Sequence, residues 1–445
     1  MLKLLAIGVL ILLLLIPAFL ISDLIRERRN LRDDAQAEVA AKFGGEQTFG
    51  GPVISVPYAY EVTTGQNEDG PITSVRTGYA HFLPDDINIQ AELVPEERYR
   101  GIFVVVLYNT RFSVRGSFDR FNVDALDVPD YALRWDDALF TIGIADMKGV
   151  DASITARVGG RDYEMGPGTI TNEVFQSGAS SPIAIAGAED LLNFEFDVVL
   201  NGSSGLYFRP FGKTTSVELV STWPDPSFDG SFLPQGSEVS QEGFRATWEV
   251  LQLNRNYPQQ GTGAFVPPAG GETYYDDLGY RGANFSSGDR FGVRLLLPVD
   301  EYKKIYRSTE YAILFVIITF LTFFFIEVLN RQRVHPIQYI LIGAAILLFY
   351  VLLLSISEHQ YFDFAYWISA LAITTLITGY SYAILRHRKL TLLVGGVLLI
   401  LYVFFYSLLQ LQDFALLIGS LGLLLILATI MYLTRNVDWY RLGEE

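Results

Sequence analysis

Histidine is the first residue type to examine for chemistry, and this chain has four: His81, His335, His359 and His387. Only His81 lies in the long polar middle of the chain, in the strand-like sequence TGYAHFLP. A serine hydrolase in that region would need His81 as its base, yet no G-x-S-x-G motif accompanies it. We therefore interpret His81 as a strand histidine with a satisfied hydrogen bond.

Motifs for other chemistries are missing from the sequence. There is no H-E-x-x-H, no cluster of histidines, no Walker A motif and no dinucleotide fingerprint. The chain also has no cysteine, which excludes disulfides, thiolate metal sites and cysteine nucleophiles. We expect no catalytic residues, no metal and no cofactor.

Paired carboxylates could support the hydrolysis of glycans. Residues 22–309 hold 41 acidic and 25 basic side chains, so this segment carries the whole net charge of −16. With so many carboxylates a suitable pair is bound to exist, and a periplasmic glycan or peptidoglycan hydrolase stays open as an alternative. The acidic surface argues against a nucleic-acid partner. It is explained by solubility, or by a cationic partner or divalent ions.

Ionisable residues within apolar helices often mark transport paths. Only Glu327 qualifies here, in TFFFIEVLNRQR, four residues before Arg331. This spacing favours a surface ion pair, and a buried proton relay is the alternative. Glu358 and His359 follow at the outer end of the next apolar segment, beside the expected water boundary.

The densest local pattern in the polar middle is STWPDPSFDGSFLP at 221–234. Trp223, Pro226 and Phe228 are its central residues, because proline fixes the backbone and the aromatic residues alternate around a turn sequence. The pattern predicts a rigid β-turn whose rings enter the core. The alternative is an aromatic-lined edge that contacts a protein partner or a glycan.

The order of the apolar segments sets the architecture. Each of six segments is long enough to cross a bilayer as a helix. The six are Leu4–Ile21, Tyr311–Leu329, Tyr339–Ile356, Phe364–Leu385, Leu390–Leu409 and Phe414–Leu433. The first has no small-x-small cleavage site, so we interpret it as an uncleaved anchor rather than a signal peptide. The sequence predicts a multi-pass α-helical membrane protein with one span before and five spans after a large domain.

Charges in the loops predict the orientation, because short basic loops stay cytoplasmic. The loops after the second and fourth spans and the final tail hold Arg331, Arg333, Arg386, Arg388, Lys389, Arg435 and Arg441. The intervening loops hold Glu358, Asp363 and Asp413 and no basic residue. Both termini are then cytoplasmic and residues 22–310 periplasmic. Arg26, Arg28, Arg29 and Arg32 after the first span oppose this, but large translocated domains largely escape the rule.

Between the spans the apolar period changes to two, which is typical of strands. Predicted strands cover 51–62, 87–93, 101–118, 138–145, 151–158, 193–200, 216–223, 244–253 and 291–299. They predict a mainly antiparallel β domain, in a sandwich-like arrangement or an open barrel. Residues 254–290 are rich in Gly, Pro and aromatic residues and predict a long surface excursion.

The resulting domain prediction has five parts. They are a transmembrane anchor (1–21), a juxtamembrane helix ending at Gly44-Gly45 (22–44), a periplasmic β-rich domain (45–307), a five-helix transmembrane bundle (308–434) and a cytoplasmic tail (435–445).

Several motifs together resemble the CreD family of bacterial inner-membrane proteins. They are EYAIL (310–314), FFFIE (323–327), RVHPIQY (333–339) and FYVLLLSISEH (349–359), with GPVISVPY (51–58), the 221–234 motif, EGFRATW and LTRNVDWY (433–440). The resemblance runs along nearly the whole chain in order, except at 254–290. Glu327, His335, Pro336, Glu358 and His359 stand in matching places. Their role is not carried over by the resemblance.

The resemblance implies an inner-membrane protein of envelope integrity and stress response, linked to tolerance of colicins and β-lactams. Our leading hypothesis is accordingly a non-enzymatic envelope protein. Its periplasmic domain would bind a cell-wall or membrane-protein partner, and its helices would hold it in the lipid bilayer. A transporter or channel formed by the bundle is the second hypothesis and a hydrolase the third. An oligomer is compatible with the sequence.

Overall fold

The computed structural model describes residues 2–67, 70–267, 274–275, 281–282, 289–295, 301–330, 332, 334–411 and 414–435. The chain divides into two compact units. The helical unit consists of Met1–Asp33 and Val299–Glu445, and the β unit consists of Asp34–Pro298.

The α-helices carry the apolar segments. They are α1 (Leu2–Phe43), α2 (Glu301–Glu310), α3 (Ala312–Asn330), α4 (Pro336–Ser357), α5 (Phe362–Leu385), α6 (Arg388–Gln410) and α7 (Ala415–Thr434). Among the described residues, α1 and α3 to α6 are long and apolar enough to cross a membrane. The sixth predicted span coincides with the 20-residue helix α7, in which the apolar stretch within the described residues is Leu417–Tyr432. The multi-pass architecture is confirmed, with five helices of spanning length where the sequence predicted six spans.

Helix α1 continues well past its apolar part. Its sequence up to Phe43 is rich in helix formers, and Gly44 follows with a φ of 141°, which ends the helix where the glycine pair predicted an end. Apolar side chains in its first half, such as Leu12 and Phe19, are exposed, as lipid-facing residues are. Others, such as Leu14, enter the core of the helical unit.

Aromatic residues fill much of the core of the helical unit. The ring of Phe315 in α3 lies 4.5 Å from Phe405 and 4.8 Å from Tyr402, both in α6. Ile305 of α2 is fully buried in the same core. Because of this burial α2 belongs to the helical unit, although the sequence had assigned most of it to the β-rich segment 45–307.

The β unit contains the strands. They are β1 (Gln47–Asn67), β2 (Gly70–Phe82), β3 (Asp86–Arg100), β4 (Phe103–Phe118), β5 (Leu139–Ile144), β6 (Thr155–Val158), β7 (Arg161–Glu164), β8 (Gly166–Pro167), β9 (Gly178–Pro182), β10 (Leu192–Ser203), β11 (Gly205–Phe208), β12 (Thr214–Ser221), β13 (Pro226–Gly230), β14 (Gly236–Ser240), β15 (Gly243–Leu251), β16 (Gln260–Thr262), β17 (Tyr274–Tyr275), β18 (Arg281–Gly282) and β19 (Phe291–Leu295).

Two large sheets share one core. The first has the order β13-β19-β11-β1-β5-β9-β8, with β2 paired to β1 and β16 to β2. The second has the order β14-β15-β12-β3-β4-β10-β6-β7. All pairs within these sheets are antiparallel except β1 with β11 and β3 with β12. Phe49 of the first sheet packs 4.9 Å from Phe112 of the second. The predicted sandwich of mainly antiparallel sheets is therefore confirmed.

Two local predictions were wrong. The segment 221–234 was predicted as a turn, but Pro226–Gly230 forms the edge strand β13, because it pairs along β19. The segment 254–290 was predicted as a surface excursion. Its described start contains strand β16, and Tyr257 and Val266 are buried in the core. Residues 268–273, 276–280 and 283–288 of that segment lie outside the described residues.

Candidate functional site

A cavity of about 320 Å³ opens at one end of the β unit, and we call it the arginine cavity. Its walls come from the start of β1, the end of β5, the segment 172–177 and the residues that flank β11 and β19. It is lined by two glutamates, Glu46 and Glu173, two arginines, Arg209 and Arg290, and apolar side chains that include Phe175 and Val266. Its volume is at the small end of the range for ligand sites.

Glycines allow the aromatic wall of the cavity to form. A Cβ atom on Gly143 of β5 would lie 2.2 Å from the ring of Phe175, and one on Gly50 of β1 would lie 2.8 Å from the ring of Phe211. Only glycine leaves room for these rings at the sheet surface. Phe211 then packs 5.3 Å from Phe175, whose ring lines the cavity.

Arg290 is neutralised within the cavity wall. Its Nη1 donates to Glu46 Oε1 at 2.8 Å and to Thr48 Oγ1 at 3.4 Å. Its guanidinium also lies 4.0 Å from the ring centre of Tyr207. Arg290 and Glu46 thus form a nearly buried ion pair of no net charge.

Arg209 has a different environment. It is 4% exposed, its Nη2 donates to the carbonyl oxygen of Pro267 at 2.7 Å, and its Nε has no hydrogen-bond partner. No carboxylate forms an ion pair with it among the described residues. Burial lowers the pKa of Arg209, against the opposing influence of Tyr257 and Asp289. An arginine nevertheless stays charged, so a buried positive charge faces this cavity.

A hydrogen-bonded chain runs from the core to the cavity wall. Ser55 Oγ lies 2.8 Å from His81 Nδ1, and His81 Nε2 lies 2.8 Å from Glu173 Oε2. A carboxylate only accepts, so a neutral imidazole carries its proton on Nε2 and accepts from the Ser55 hydroxyl on Nδ1. The interpretation of His81 as a satisfied strand histidine is confirmed.

The hydrogen-bonded series Ser55–His81–Glu173 has the residue types of a hydrolase triad, but its surroundings do not suit catalysis. Strand β1 is paired to β2 and to β5 at Ser55, so the backbone N–H groups there belong to the sheet ladders. A triad needs free N–H donors for an oxyanion beside its nucleophile. Ser55 and His81 are also buried, at 5% and 0% exposure. The hydrogen-bonded series Ser55–His81–Glu173 therefore has a structural role. It links Glu173, which lines the cavity, to the core.

The aromatic motif of β13 does not join the cavity. Trp223 is buried and its Nε1 donates to the carbonyl oxygen of Asp225 at 3.2 Å. Phe228 packs edge-on against Phe244 and Trp248, at 5.7 and 5.8 Å. Pro226 begins the edge strand. The rings thus enter the core, as the first of the two sequence interpretations expected.

The motif residues of the helical unit build the turn between α3 and α4. Glu327 is buried, and its Oε1 accepts from the backbone N of Val334 at 3.2 Å. His335 caps α4, accepting at Nδ1 from Ile337 N at 3.3 Å, while its own N donates to Gln338 Oε1 at 2.9 Å. Pro336 occupies the first helical position, where its missing N–H costs nothing.

The sequence predicted a surface ion pair of Glu327 with Arg331. Glu327 is instead 7% exposed and hydrogen-bonds to the following turn, so the surface part of that prediction was wrong. Arg331 lies outside the described residues.

Glu358 lies in a second cluster of the helical unit, at the end of α4. Its Oε1 accepts from the hydroxyl of Tyr302 at 3.4 Å and lies 3.7 Å from Nε of Arg28. Arg26 of the same helix donates to the Tyr306 hydroxyl at 2.8 Å. His359 is exposed beside this cluster, with Nδ1 3.2 Å from the carbonyl oxygen of Ser355. The arginines that follow the first span thus contact α2 and α4.

Sequence reasoning missed the cavity residues Glu173, Arg209 and Arg290, and also Ser55, which is linked to Glu173 through His81. Each is a single residue in an ordinary strand or loop sequence, so no spacing signals it. The one available sign is the sequence Phe208–Phe211, where an arginine stands among aromatic residues in a segment with an excess of acid. Among the described residues there is no group of three or more potential metal ligands.

The Glu327 turn gives the first prediction. Glu327→Gln keeps an acceptor for Val334 and should leave the stability of the protein near that of wild type. Glu327→Leu leaves a buried N–H unpaired and should cost roughly 1–3 kcal/mol. Thermal unfolding of the purified protein in detergent measures both. Gln338→Ala removes the side-chain acceptor for the backbone N of His335 at the start of α4, and it should lower the stability by about 1 kcal/mol. Equal stability of the Gln and Leu variants would contradict this role.

The His81 chain gives a prediction on pH dependence. Burial lowers the pKa of His81 below its ordinary value of 6.5, and Glu173 only partly opposes this. Below pH 6.5 the unfolded chain therefore binds a proton that the folded chain does not, and stability falls as the pH falls. The slope from this group is at most about 1.4 kcal/mol per pH unit. Tryptophan fluorescence during unfolding between pH 7.5 and 5.5 measures it, since Trp135, Trp223 and Trp248 lie in the β unit.

His81→Gln does not titrate and should remove this slope. Glu173→Gln removes the group that raises the pKa of His81, so the slope should persist and extend to lower pH. Identical slopes for wild type and His81→Gln would show that His81 does not control the pH dependence.

Comparison with known proteins bears on the whole chain. A model of the CreD family, described as inner membrane protein CreD, matches residues 1–440. Inner membrane protein CreD of Escherichia coli (strain K12) is 33% identical over 433 residues, which cover 97% of this chain and 91% of that protein.

A solved structure of an M1 zinc metallopeptidase mutant from Deinococcus radiodurans aligns with 38% of this chain and 39% of its own chain, at 8% identity. Its TM-score of 0.19 is too low to carry an argument about fold or chemistry. The family match and the E. coli relative, by contrast, cover nearly the full length and confirm the resemblance of the sequence motifs. The chain belongs to the CreD family of inner membrane proteins.

Proposed function

We propose that this inner membrane protein supports the integrity of the cell envelope without catalysis, and that its β unit is a binding module. The arginine cavity is the observation that carries the proposal. It combines a ligand-sized volume, an aromatic wall and a buried arginine that forms no ion pair with a carboxylate among the described residues. The helical unit anchors the protein in the bilayer.

The geometry favours binding over the two alternatives. Transport would need Glu327 on a polar path, whereas its carboxylate holds the turn between α3 and α4. Hydrolysis would need an activated nucleophile with free N–H donors, whereas Ser55 lies in a strand that is paired on both sides. Neither alternative has a described site that supports it.

We also propose that residues 22–310 are periplasmic and both termini cytoplasmic. The basic loops and the acidic loops of the sequence support this orientation. The contact of Arg28 with Glu358 adds support, because it places the residues after the first span on the same side as the acidic loop after α4. Two of the four arginines that opposed the charge rule are thus partnered, Arg26 with Tyr306 and Arg28 with Glu358.

The orientation can be tested by labelling, since the chain has no cysteine of its own. Single cysteines are introduced at the exposed positions Tyr361, Glu242 and His387. In spheroplasts a membrane-impermeant maleimide should label Tyr361→Cys and Glu242→Cys at once, and His387→Cys only after lysis. The reverse pattern would show the opposite orientation.

The binding role can be tested in an E. coli strain that lacks its own CreD, challenged with detergent, a β-lactam or osmotic shock. Wild type should restore growth and Arg209→Gln should fail at equal membrane levels. Arg245→Gln is the matched control. Arg245 is an exposed arginine of the second sheet, where it pairs with Glu218, and it does not line the arginine cavity. Full rescue by Arg209→Gln would overturn the proposal. Glu327→Gln should rescue, and its failure would favour transport.

A further inference from the structure

Arg209 differs from the exposed arginines of the acidic β unit. Exposed arginines such as Arg98, Arg157 and Arg245 each pair with a carboxylate. Arg209 is nearly completely buried and has no such partner among the described residues, although residues 22–309 carry an excess of 16 acidic side chains. An unpaired buried charge is costly, and its N–H groups need acceptors. Within the described ranges the acceptor for its guanidinium is the carbonyl oxygen of Pro267.

The position of Arg209 is nevertheless fixed. Its backbone N donates to the carbonyl oxygen of Phe49 at 2.9 Å, which ties it to β1. Its guanidinium lies 5.2 Å from the ring centre of Phe211. A planar guanidinium that is held in this way is suited to bind an oxyanion through two N–H groups, with little loss of side-chain entropy on binding.

A second buried arginine adds to the positive potential. Arg255 is 6% exposed, lies 4.3 Å from the ring centre of Tyr257, and has no partner for Nε and Nη1. Burial lowers the pKa of Arg255, and the positive charge of Arg209 lowers it further. The two guanidinium groups therefore interact, and a negative charge near Arg209 would relieve both.

The carboxylates in the cavity walls limit the charge that a bound anion can carry. Glu46 is neutralised by Arg290, but Glu173 also lines the cavity and carries a carboxylate. A phosphate monoester would bring close to two negative charges beside these carboxylates. A single carboxylate brings one. Asn172, Ser177 and Glu173 can accept hydrogen bonds from the rest of the ligand, and Phe175 and Val266 offer apolar contact.

We propose that the arginine cavity binds a small ligand through a single carboxylate group held by Arg209, with hydrogen-bond donors of the ligand directed to Glu173. This inference rests on the proposed function of the β unit as a binding module and names the chemistry of its ligand. Amino acids and the carboxyl ends of short peptides have this chemistry and fit the volume.

The test uses full-length protein purified in detergent and four probes: acetate, N-acetylglycine, alanyl-alanine and inorganic phosphate. Binding is measured by calorimetry and by the rise in the unfolding temperature. Alanyl-alanine and N-acetylglycine should bind more tightly than acetate, because they carry N–H donors as well as a carboxylate. Phosphate should bind most weakly.

Arg209→Gln should weaken the binding of alanyl-alanine by about 10-fold or more, since a charge-assisted hydrogen bond is lost. Arg209→Lys keeps the charge without the planar guanidinium, so its loss of affinity for alanyl-alanine should be intermediate. This variant also provides the test if Arg209→Gln fails to fold. Arg245→Gln should bind as wild type does. Glu173→Gln should weaken alanyl-alanine more than acetate.

Failure of every carboxylate probe to bind wild type, or equal binding by wild type and both Arg209 variants, would overturn the inference. Preferential binding of phosphate would overturn the choice of carboxylate. The proposed function is judged separately by rescue of the deletion strain. If Arg209→Gln fails to rescue and no probe binds, the ligand chemistry is wrong. If the probes bind and Arg209→Gln rescues, the proposed role of the cavity in the envelope is wrong.

Discussion

Aromatic packing between the two sheets is the interaction on which the β unit depends. No cysteine is present to form a disulfide, so burial of side chains must stabilise the unit alone. Phe49 contacts Phe112 across the sandwich, and Phe140 lies 6.0 Å from both Phe194 and Phe196 of the facing sheet. Each aromatic side chain buries about 150–250 Å². The same packing continues to Phe211 and Phe175, so the rigid wall of the arginine cavity is an extension of the core.

Glu327, His81 and Arg209 are buried polar side chains that differ in how far their hydrogen-bond partners explain their burial. Glu327 and His81 are both buried, and each has hydrogen-bond partners that explain its position. In both cases removal of one partner would leave the other uncompensated, which is the usual reason for such a pair to be kept. Arg209 is as buried as these groups, but no carboxylate among the described residues pairs with its charge, and its guanidinium donates to the carbonyl oxygen of Pro267. That difference separates a structural polar residue from a candidate ligand contact.

The sequence predicted the architecture well, for simple physical reasons. Apolar length identifies helices that can cross a bilayer, and strands such as β3 and β10 alternate buried and exposed residues as the sequence pattern indicated. Short strands such as β13 and β16, with five and three residues, escaped because their pairing depends on neighbours far along the chain. The same holds for the cavity, whose walls come from residues 46 to 290.

The motif residues illustrate the same limit. Glu327 stood out because a carboxylate in an apolar helix is rare, but the spacing did not indicate that it would be buried or that it would accept from the backbone N of Val334. Residue spacing predicts the neighbours of a side chain on its own helix. A hydrogen bond to a backbone group beyond the helix depends on the path that the chain takes after the helix ends. Arg209 and Arg290 gave no such local signal at all.

The strands at the ends of the second sheet have a consequence for self-association. Strand β14 is exposed along its whole length and contains Glu238, and β7 at the opposite end contains Arg161, Asp162 and Glu164. Charged side chains on a short edge strand discourage the addition of a strand from another molecule. Two copies of the β unit are thereby kept from joining these edges into a continuous sheet, which protects the protein from aggregation.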